Sequence, residues 1–279
     1  SDSRGGYQPD GKCYALAIFP ILNPDTLMAA PVFYIPHGGG PMPLLNDPSH
    51  AGLIAFLKTL RGKFGGTPDA IVLISAHWEE NQPTVYGGEQ HGMLFDYYGF
   101  PPNTYQYSYP APGAPALAAR IVALLEKLHA PCRIDTQRGF DHGSFVPMLL
   151  VDPQATIPCI QLSLLKGLNP QAHVQLGMAL QELRNDNVVI IGSGMSFHNL
   201  QAVWAGEQPE LRAASDEFHK WLLFTMTSKA VLPEQRLAAL AQWQQAPHAR
   251  FCHPRAEHLL PLHVCAGLAG GSAAEVVFD

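Results

Sequence analysis

The chain has 279 residues, 47% of them hydrophobic and 14% charged, so it is long and apolar enough to bury the core of one large α/β domain. A formal net charge of −6 and a pI of about 6.1 exclude a basic surface for nucleic acid or for acidic membrane lipids, and no apolar run reaches the length of a membrane helix. The five cysteines show no C-x-x-C spacing, which favours reduced thiols in a cytoplasmic protein over disulfides or a thiolate zinc site.

The N-terminal segment is predicted to lie outside the catalytic domain. The sequence begins with Ser1 rather than Met, and Met28 stands just before the apolar stretch AAPVFYIP. Prolines interrupt the apolar residues that precede Met28, and no basic region leads them, so they do not resemble a signal peptide. We therefore interpret residues 1–27 as a tag or leader and residues 28–279 as the catalytic domain.

The elements predicted beyond that segment alternate between strands and helices. Strands are indicated by runs of β-branched and other apolar residues, and helices by apolar residues three or four positions apart. In chain order they are a strand at 31–36, a helix at 50–64, a strand at 69–78, a helix at 114–130, strands at 132–137 and 157–165, a helix at 170–186, a strand at 187–194, helices at 209–228, 234–245 and 254–269, and a strand at 274–279. This order predicts an α/β fold, a single domain with a central mostly parallel sheet flanked by helices on both faces.

Three histidines follow the carboxyl ends of predicted strands. His37 follows VFYIP, His77 follows VLISA, and His198 stands a few residues after VVIIGS. In an open α/β sheet, ligands bind at the edge where the parallel strands end. A single histidine at such a position is usually a hydrogen-bonded loop residue, but three of them at one edge favour a functional site.

His142 is a further candidate, in the predicted loop RGFDHGSF with Asp141 beside it. With glycines around it, His142 is either an ordinary turn residue or an acid or base in a pocket. The other histidines outside the C-terminal helix are interpreted as ordinary core or surface residues, namely His50, His91, His129, His173, His219 and His248.

The predicted C-terminal helix and the residue before it carry three histidines spaced by five residues, His253, His258 and His263. Successive members of this series lie about 140° apart around a helix, so they cannot all face one ion. We select His258, in the first turn of the predicted helix, as the candidate ligand. Glu257 beside it stays a competing ligand.

The stretch PHGGGP at 36–41 has three chemical interpretations: the oxyanion loop of a hydrolase, a phosphate-binding turn, or a metal ligand at the end of a strand. An esterase with such a loop also needs a G-x-S-x-G motif, which the sequence lacks. The nucleotide-binding patterns G-x-G-x-x-G and G-x-x-x-x-G-K are absent too. The metal ligand therefore remains, and the glycines would let substrate and backbone approach the ion closely.

Seven motifs in a fixed order extend this interpretation. The sequence contains PHGGGP, ISAHW, YPAPGAPALA, GFDHGSFVPM, IPCIQLSL, GSGMSFHNL and AEHLLPL, between residues 31 and 278. Each motif is short, but their joint order is specific. The chain resembles the class III extradiol ring-cleavage dioxygenases, in the branch that includes 4,5-DOPA extradiol dioxygenase.

The resemblance implies roles for five histidines. His37, His77 and His258 match the metal ligands of the DOPA-type branch. The wider superfamily often has a glutamate as third ligand, which keeps the carboxylate alternative open. His198 matches the acid–base histidine and His142 a second pocket histidine that faces substrate, so both are implied to be catalytic and to bind substrate.

The implied cofactor is non-heme Fe(II) on three neutral imidazoles, with positions left for a catechol and dioxygen. A small aromatic diol, DOPA or a related compound, would be opened beside one hydroxyl to a semialdehyde. Three imidazoles also bind Zn(II) well, so zinc in the purified protein, a zinc-dependent hydrolase and a non-catalytic metal-binding homologue are the alternatives. Selectivity is expected from loops such as 99–112, whose Tyr105, Tyr107 and Tyr109 either line the mouth of the site or pack.

Overall fold

The structure, a computed structural model, describes residues 14–18, 30–205 and 208–279. Its strands are β1 (Ala15–Ile18), β2 (Val32–Pro36), β3 (Ala70–Ser75), β4 (Glu79–Glu80), β5 (Thr84–Tyr86), β6 (Arg133–Asp135), β7 (Cys159–Gln161), β8 (Leu164–Leu165), β9 (Val188–Gly194) and β10 (Glu275–Phe278). Its α-helices are α1 (Ala51–Leu60), α2 (Pro115–Glu126), α3 (His142–Val151), α4 (Pro170–Ala179), α5 (Leu200–Ala205), α6 (Pro209–Thr227), α7 (Pro233–Ala241), α8 (Ala249–Cys252) and α9 (Leu260–Leu268). Within the described ranges, none of these helices combines the length and the hydrophobicity needed to cross a membrane.

A six-stranded sheet in the order β10-β1-β2-β9-β3-β7 forms the centre of the fold. β2, β9, β3 and β7 run parallel, whereas β1 is antiparallel to both of its neighbours. Every residue of β2, β3 and β9 is buried, as expected for parallel strands that are covered on both faces. The predicted fold class, a single α/β domain with a mostly parallel sheet, is confirmed.

Helices cover both faces of this sheet because the side chains of a strand alternate between its two faces. In β2, Phe33 and Ile35 belong to a core cluster that also contains the apolar residues of α1 and α3. Val32 and Tyr34 belong to the cluster on the other face, which contains the apolar residues of α4, α6 and α9.

Helices α4 and α9 cross at two glycines. A Cβ atom on Gly177 would lie 2.0 Å from the carbonyl oxygen of Val264, and one on Gly267 would lie 2.1 Å from the carbonyl oxygen of Val174. The two backbones therefore touch at a distance that no other residue allows. This contact holds α9, and with it the turn that precedes α9, against the rest of the fold.

Two boundaries near the predicted site differ from the sequence-based expectation. The helix predicted at 254–269 begins only at Leu260, with Pro261 in its first turn, where a missing N–H costs nothing. His258 therefore lies in the turn before the helix rather than in its first turn. His142, predicted in a loop, is instead the first residue of α3, because Asp141 caps the helix by accepting a hydrogen bond from the Ser144 N–H at 3.1 Å.

The N-terminal segment contributes to the sheet. Ala15–Ile18, inside the segment predicted to be a tag or leader, forms β1 and pairs with both β2 and β10. All four residues are buried. These four residues thus belong to the folded domain, and the boundary predicted at residue 28 leaves them out. The rest of residues 1–27, apart from Tyr14, lies outside the described residues, and its origin as a tag or leader stays a prediction.

Candidate active site

The parallel strands β2, β9 and β3 end at one edge of the sheet, and the predicted site residues meet there. His37 directly follows β2, and His77 comes two residues after the end of β3. His258 reaches the same edge from the turn before α9. Its carbonyl oxygen accepts hydrogen bonds from the Met195 N–H at 2.9 Å and the Tyr34 hydroxyl at 2.8 Å, which tie that turn to the end of β9.

Glycines next to these histidines are required by close packing. A Cβ atom on Gly194, the last residue of β9, would lie 2.1 Å from the carbonyl oxygen of His258. Gly38 has a φ of +78°, and a Cβ atom there would lie 2.7 Å from Pro43 and 2.8 Å from the ring of His50. The glycine that follows His37 therefore serves a left-handed turn that is packed against the His50 ring.

His37, His77 and His258 form a nearly equilateral triangle of rings. Their centroids are 5.0 Å apart for His37 and His77, 5.2 Å for His37 and His258, and 4.9 Å for His77 and His258. The Nε2 atoms of His37 and His77 are 3.2 Å apart. One ligand nitrogen from each residue lies within 4.8 Å of the others, a spacing that suits a single metal ion.

The outer nitrogens of two of these rings have polar partners. The Nδ1 atom of His37 is 2.9 Å from the Ser193 hydroxyl oxygen, and the Nδ1 atom of His258 is 3.1 Å from the Glu257 carboxylate. A partner on Nδ1 fixes the orientation of the ring and leaves Nε2 to face the ion, as in most histidine metal sites.

The three imidazoles are held in the neutral form, which is the form that binds a metal. Burial lowers the pKa of His37 well below 6.5, and the neighbouring imidazoles lower it further. Burial also lowers the pKa of His258 well below 6.5, although the hydrogen bond with Glu257 raises it in part. Burial, together with repulsion from His142, lowers the pKa of His77 to about 4.

His142 lies beside this triangle, with its ring centroid 4.0 Å from that of His77. Its Nδ1 atom is 2.8 Å from an oxygen of Asp96, and its backbone N–H donates to the same oxygen at 3.0 Å. The other Asp96 oxygen lies 3.8 Å from Nδ1 of His77. Burial raises the pKa of Asp96, but the hydrogen bonds with His142 outweigh it and bring the pKa to about 2, so Asp96 is a carboxylate.

His198 stacks on His258, with ring centroids 3.4 Å apart and an interplanar angle of 19°. Its Nδ1 atom is 3.2 Å from the same Glu257 oxygen that contacts His258. Burial raises the pKa of Glu257, but the hydrogen bonds with His198 and His258 outweigh it and hold that pKa below its usual range. The same carboxylate oxygen thus faces the Nδ1 atoms of both rings.

Among the described residues, three overlapping groups have the spacing of a metal site: His37, His77 and His258; His77, Asp96 and His142; and His198, Glu257 and His258. In the second and third groups the carboxylate already accepts hydrogen bonds from histidine Nδ1 atoms. The first group offers three neutral nitrogens, and two of its rings, those of His37 and His258, are hydrogen-bonded on Nδ1, so it fits a metal ion best. Of the three C-terminal histidines, the one selected from the sequence, His258, belongs to that group.

A cavity of about 260 Å³ opens beside the three rings. The five histidines singled out from the sequence all line it, so the structure brings every predicted site residue to one place. The rest of its wall consists of glycines and mostly apolar side chains, namely Gly38, Gly39, Gly40, Met42, His50, Met195, Phe197, Asn199, Leu200, Val203 and Trp204.

Sequence reasoning missed two residues of the site, His50 and Asp96. His50, assigned an ordinary role, lines the cavity and accepts a hydrogen bond from the Gly39 N–H at 3.2 Å. Asp96 was not singled out, although the acidic residue in LFDYYGF was visible as a possible partner for a histidine. The tyrosines of the 99–112 loop are absent from the cavity wall, and the Tyr109 side chain is buried against Cys159 instead.

Comparisons with known proteins agree with the motif resemblance. The family model described as the catalytic LigB subunit of aromatic ring-opening dioxygenase matches residues 30–279. The dioxygenase tasH of Hapsidospora irregularis is 41% identical over 260 residues, which cover 86% of this chain and 78% of the relative. A 4,5-DOPA dioxygenase extradiol of Beta vulgaris is 38% identical, covering 88% of this chain and 90% of the relative.

A solved structure is similar as well. The crystal structure of an uncharacterized protein from Escherichia coli K12 is 31% identical, with a TM-score of 0.61, and the match covers 77% of this chain and 81% of that chain. The prediction of an extradiol ring-opening dioxygenase is thus confirmed at the level of the family. The chain belongs to the family of the catalytic LigB subunit of aromatic ring-opening dioxygenases.

Proposed function

We propose that this protein is an Fe(II)-dependent extradiol dioxygenase that opens the ring of a catechol. The observation that carries the proposal is the convergence of three neutral imidazoles with two carboxylate-bound histidines on one cavity. Membership of the LigB family supports the same reaction class. Several relatives are named as 4,5-DOPA dioxygenases, and for this protein we propose only that the substrate contains the catechol ring of DOPA.

His37, His77 and His258 are the proposed ligands. Three ligands on one side of an ion leave positions for two adjacent catechol oxygens and for dioxygen, which is the arrangement of non-heme iron oxygenases. Bound Fe(II) would lower the pKa of the catechol hydroxyls and exchange electrons with O2. Zn(II) would suit the same three nitrogens without redox activity, so it is an inert competitor for the site.

His198 is the proposed base for a catechol hydroxyl. Its Nδ1 atom faces Glu257 at 3.2 Å, an arrangement that suits the tautomer with hydrogen on Nδ1, in which Nε2 would carry the lone pair that accepts a proton. The carboxylate at 3.2 Å would stabilise the imidazolium that results. Because His198 stacks on a proposed ligand, it would lie beside an ion held by His37, His77 and His258 and could act as the proton acceptor there.

His142 is the proposed second pocket histidine. Its Nδ1 atom donates to the Asp96 carboxylate, so its Nε2 atom can also accept a proton or, once protonated, donate a hydrogen bond to a substrate oxygen. It lines the cavity beside His77, whereas His198 lines it beside His258. Two histidines beside different proposed ligands would allow one proton to be removed and another to be returned during the reaction.

The proposed reaction balances without a further reductant. The carbon–carbon bond next to the diol and the bond within O2 both break. One oxygen atom completes a carboxyl group on the hydroxyl-bearing carbon, and the other becomes the aldehyde oxygen on the neighbouring carbon. The ring supplies the electrons that O2 takes up, so a catechol and O2 are the only substrates required.

The proposal is tested by removing metal from the protein and restoring it with Fe(II) or Zn(II). Oxygen uptake and the absorbance of a semialdehyde are then followed with catechol. We expect both signals with Fe(II) only, and their loss together with the metal in His37→Ala. His248→Ala is the matched control, since this exposed histidine pairs with Glu217 at the surface. Absence of both signals in the Fe(II) protein, or full metal content in His37→Ala, would refute the assignment.

A cytoplasmic location is part of the same proposal. The four cysteines within the described ranges are free, and burial raises the pKa of Cys159, Cys252 and Cys265 to about 12. Buried thiols of this kind stay protonated and unreactive. Labelling of these cysteines in unfolded protein prepared without reductant would test it, and disulfides found there would argue for another compartment.

A further inference from the structure

The wall of the cavity away from the imidazoles is apolar. Leu200, Val203 and Trp204 lie on one face of α5, at the spacing that brings helical residues together, and all three line the cavity. Met42 and Phe197 line it as well. The side chain of Trp204 is 73% exposed, so apolar surface continues from the inside of the cavity to its mouth.

The position of this wall is fixed relative to the proposed base. Asn199 caps α5 by accepting a hydrogen bond from the Ala202 N–H at 3.1 Å, and its own amide donates to the Phe251 carbonyl at 2.7 Å. His198 immediately precedes Asn199. The apolar face of α5 therefore starts directly beside the residue proposed to accept the catechol proton.

No lysine, arginine, aspartate or glutamate within residues 14–18, 30–205 and 208–279 lines this cavity. The sixth histidine in its wall, His50, has partners on both ring nitrogens: Nε2 accepts from the Gly39 N–H, and Nδ1 faces the carboxylate of Asp47 at 3.1 Å. In the part of the wall that the structure describes, no lysine, arginine or carboxylate therefore faces a substituent on the substrate.

The arginines closest in sequence to the site residues are engaged elsewhere. Arg138 donates to Asp141 at 2.8 Å and to the carbonyl oxygen of His77 at 3.1 Å. Arg255 pairs with Glu79 at 2.7 Å and with Glu257 at 3.4 Å. Neither guanidinium belongs to the cavity wall, so neither is placed to bind the carboxylate of an amino acid side chain on a catechol.

We propose that the preferred substrate is a catechol with an uncharged, apolar substituent rather than one with an amino acid or carboxylate side chain. The inference rests on the proposed ring-cleavage function and names its substrate class. A cavity of about 150 Å³ holds benzene, so the 260 Å³ here has room for the ring and a short substituent. An ionised substituent would lose water against the apolar wall without gaining a partner, which is unfavourable.

The test compares catechols that differ only in the substituent at one ring position. We expect kcat/KM of the Fe(II)-loaded protein to rise about fourfold per methylene from 4-methylcatechol to 4-propylcatechol, the value for burying a CH₂ group. We expect 3-(3,4-dihydroxyphenyl)propionate, dopamine and DOPA to react at least about tenfold less efficiently than 4-propylcatechol. DOPA as the better substrate would overturn the inference and leave the ring-cleavage function intact.

A charge introduced on the wall should weaken or abolish the preference. Leu200 is 48% exposed, so Leu200→Arg is accommodated without burying the guanidinium. We expect Leu200→Arg to raise the ratio of kcat/KM for the propionate to that for 4-propylcatechol about tenfold, since the guanidinium supplies the missing partner. Leu200→Gln, which is polar but uncharged, is the matched control and should not favour the propionate. An equal change in both variants would contradict the inference.

Binding without turnover separates the inference from the proposed reaction. Trp204 lines the cavity, so anaerobic titration of the metal-loaded protein should change its fluorescence, and Trp204→Phe should lose that signal while the wall stays apolar. If no catechol supports oxygen uptake, the ring-cleavage proposal fails, and the titration still decides the inference. Tighter binding of 4-propylcatechol than of DOPA would support it, and the reverse order would refute it.

Discussion

Replacing Glu257 by glutamine tests whether this carboxylate orients His258 or binds the ion itself. Glutamine keeps the size of the side chain, and its amide oxygen still accepts the histidine Nδ1–H groups, but the charge is lost. Residues that hold a histidine ligand from behind in this way typically contribute 10–100-fold to metal affinity, or about 1.4–2.7 kcal/mol. We expect Glu257→Gln to weaken metal binding by that factor and to keep one ion per chain.

The matched control is Glu79→Gln. Glu79 and Glu257 both pair with Arg255, at 2.7 Å and 3.4 Å, so the two variants remove a carboxylate from the same arginine. Among the contacts of the described residues, only Glu257 of the two carboxylates touches a histidine of the site. Glu79→Gln should therefore bind metal with the parent affinity.

The assay is a competition titration against a chelator of known affinity, run anaerobically for Fe(II) and in parallel for Zn(II). His258→Ala completes the set, because removal of a ligand should abolish stoichiometric binding, whereas Glu257→Gln should only weaken it. The reasoning fails if His258→Ala keeps one tightly bound ion while Glu257→Gln keeps none. That result would make the carboxylate the third ligand.

Three further predictions concern single residues. His198→Ala should keep its metal but lose about 10²–10⁴-fold in ring cleavage, and parent turnover or lost metal would contradict its role as base. Gly194→Ala should lower the free energy of unfolding in denaturant by about 1–3 kcal/mol or more and weaken metal binding, because the added Cβ would lie 2.1 Å from the His258 carbonyl oxygen. Its control is Gly62→Ala, where an added Cβ meets nothing within 4 Å. Burial lowers the pKa of His219 to about 4, so the unfolded chain binds a proton more readily below pH 6.5, and stability falls as the pH drops from 6.5 towards 4. Between about pH 7 and about pH 5, the free energy of unfolding should therefore fall by about 2 kcal/mol less in His219→Gln than in the parent. An equal fall in both proteins would refute this.

The sheet and the first positions of the site could be predicted because their signals are local. The apolar runs that form β2, β3 and β9 are continuous in sequence, and parallel strands place whatever follows their carboxyl ends on one edge. His37 and His77 needed nothing more than that rule. His258 was selected from three evenly spaced histidines by its place at the start of the predicted helix, and the resemblance implied the same residue.

The remaining parts depend on contacts between distant segments, which no local pattern records. Asp96 meets His142 across a long aromatic loop, and its role follows from that contact alone. His50 lines the cavity because Gly38 leaves room for its ring. Helix α9 begins at Leu260 rather than at the predicted residue 254, because Pro261 fits only the first turn of a helix. The spacing of apolar residues does not reveal such a boundary.

The position of β1 between β2 and β10 has a consequence for the folding rate. Ala15 pairs with Phe278, and Val32 pairs with Ile190, so adjacent strands of the sheet come from remote parts of the chain. Folding slows as the mean sequence separation of contacts grows, because loops must close before the contacts form. Until β1 pairs with β2, the backbone N–H and C=O groups at that edge of β2 are free to pair with another molecule. Aggregation is therefore expected mainly during slow refolding at high protein concentration.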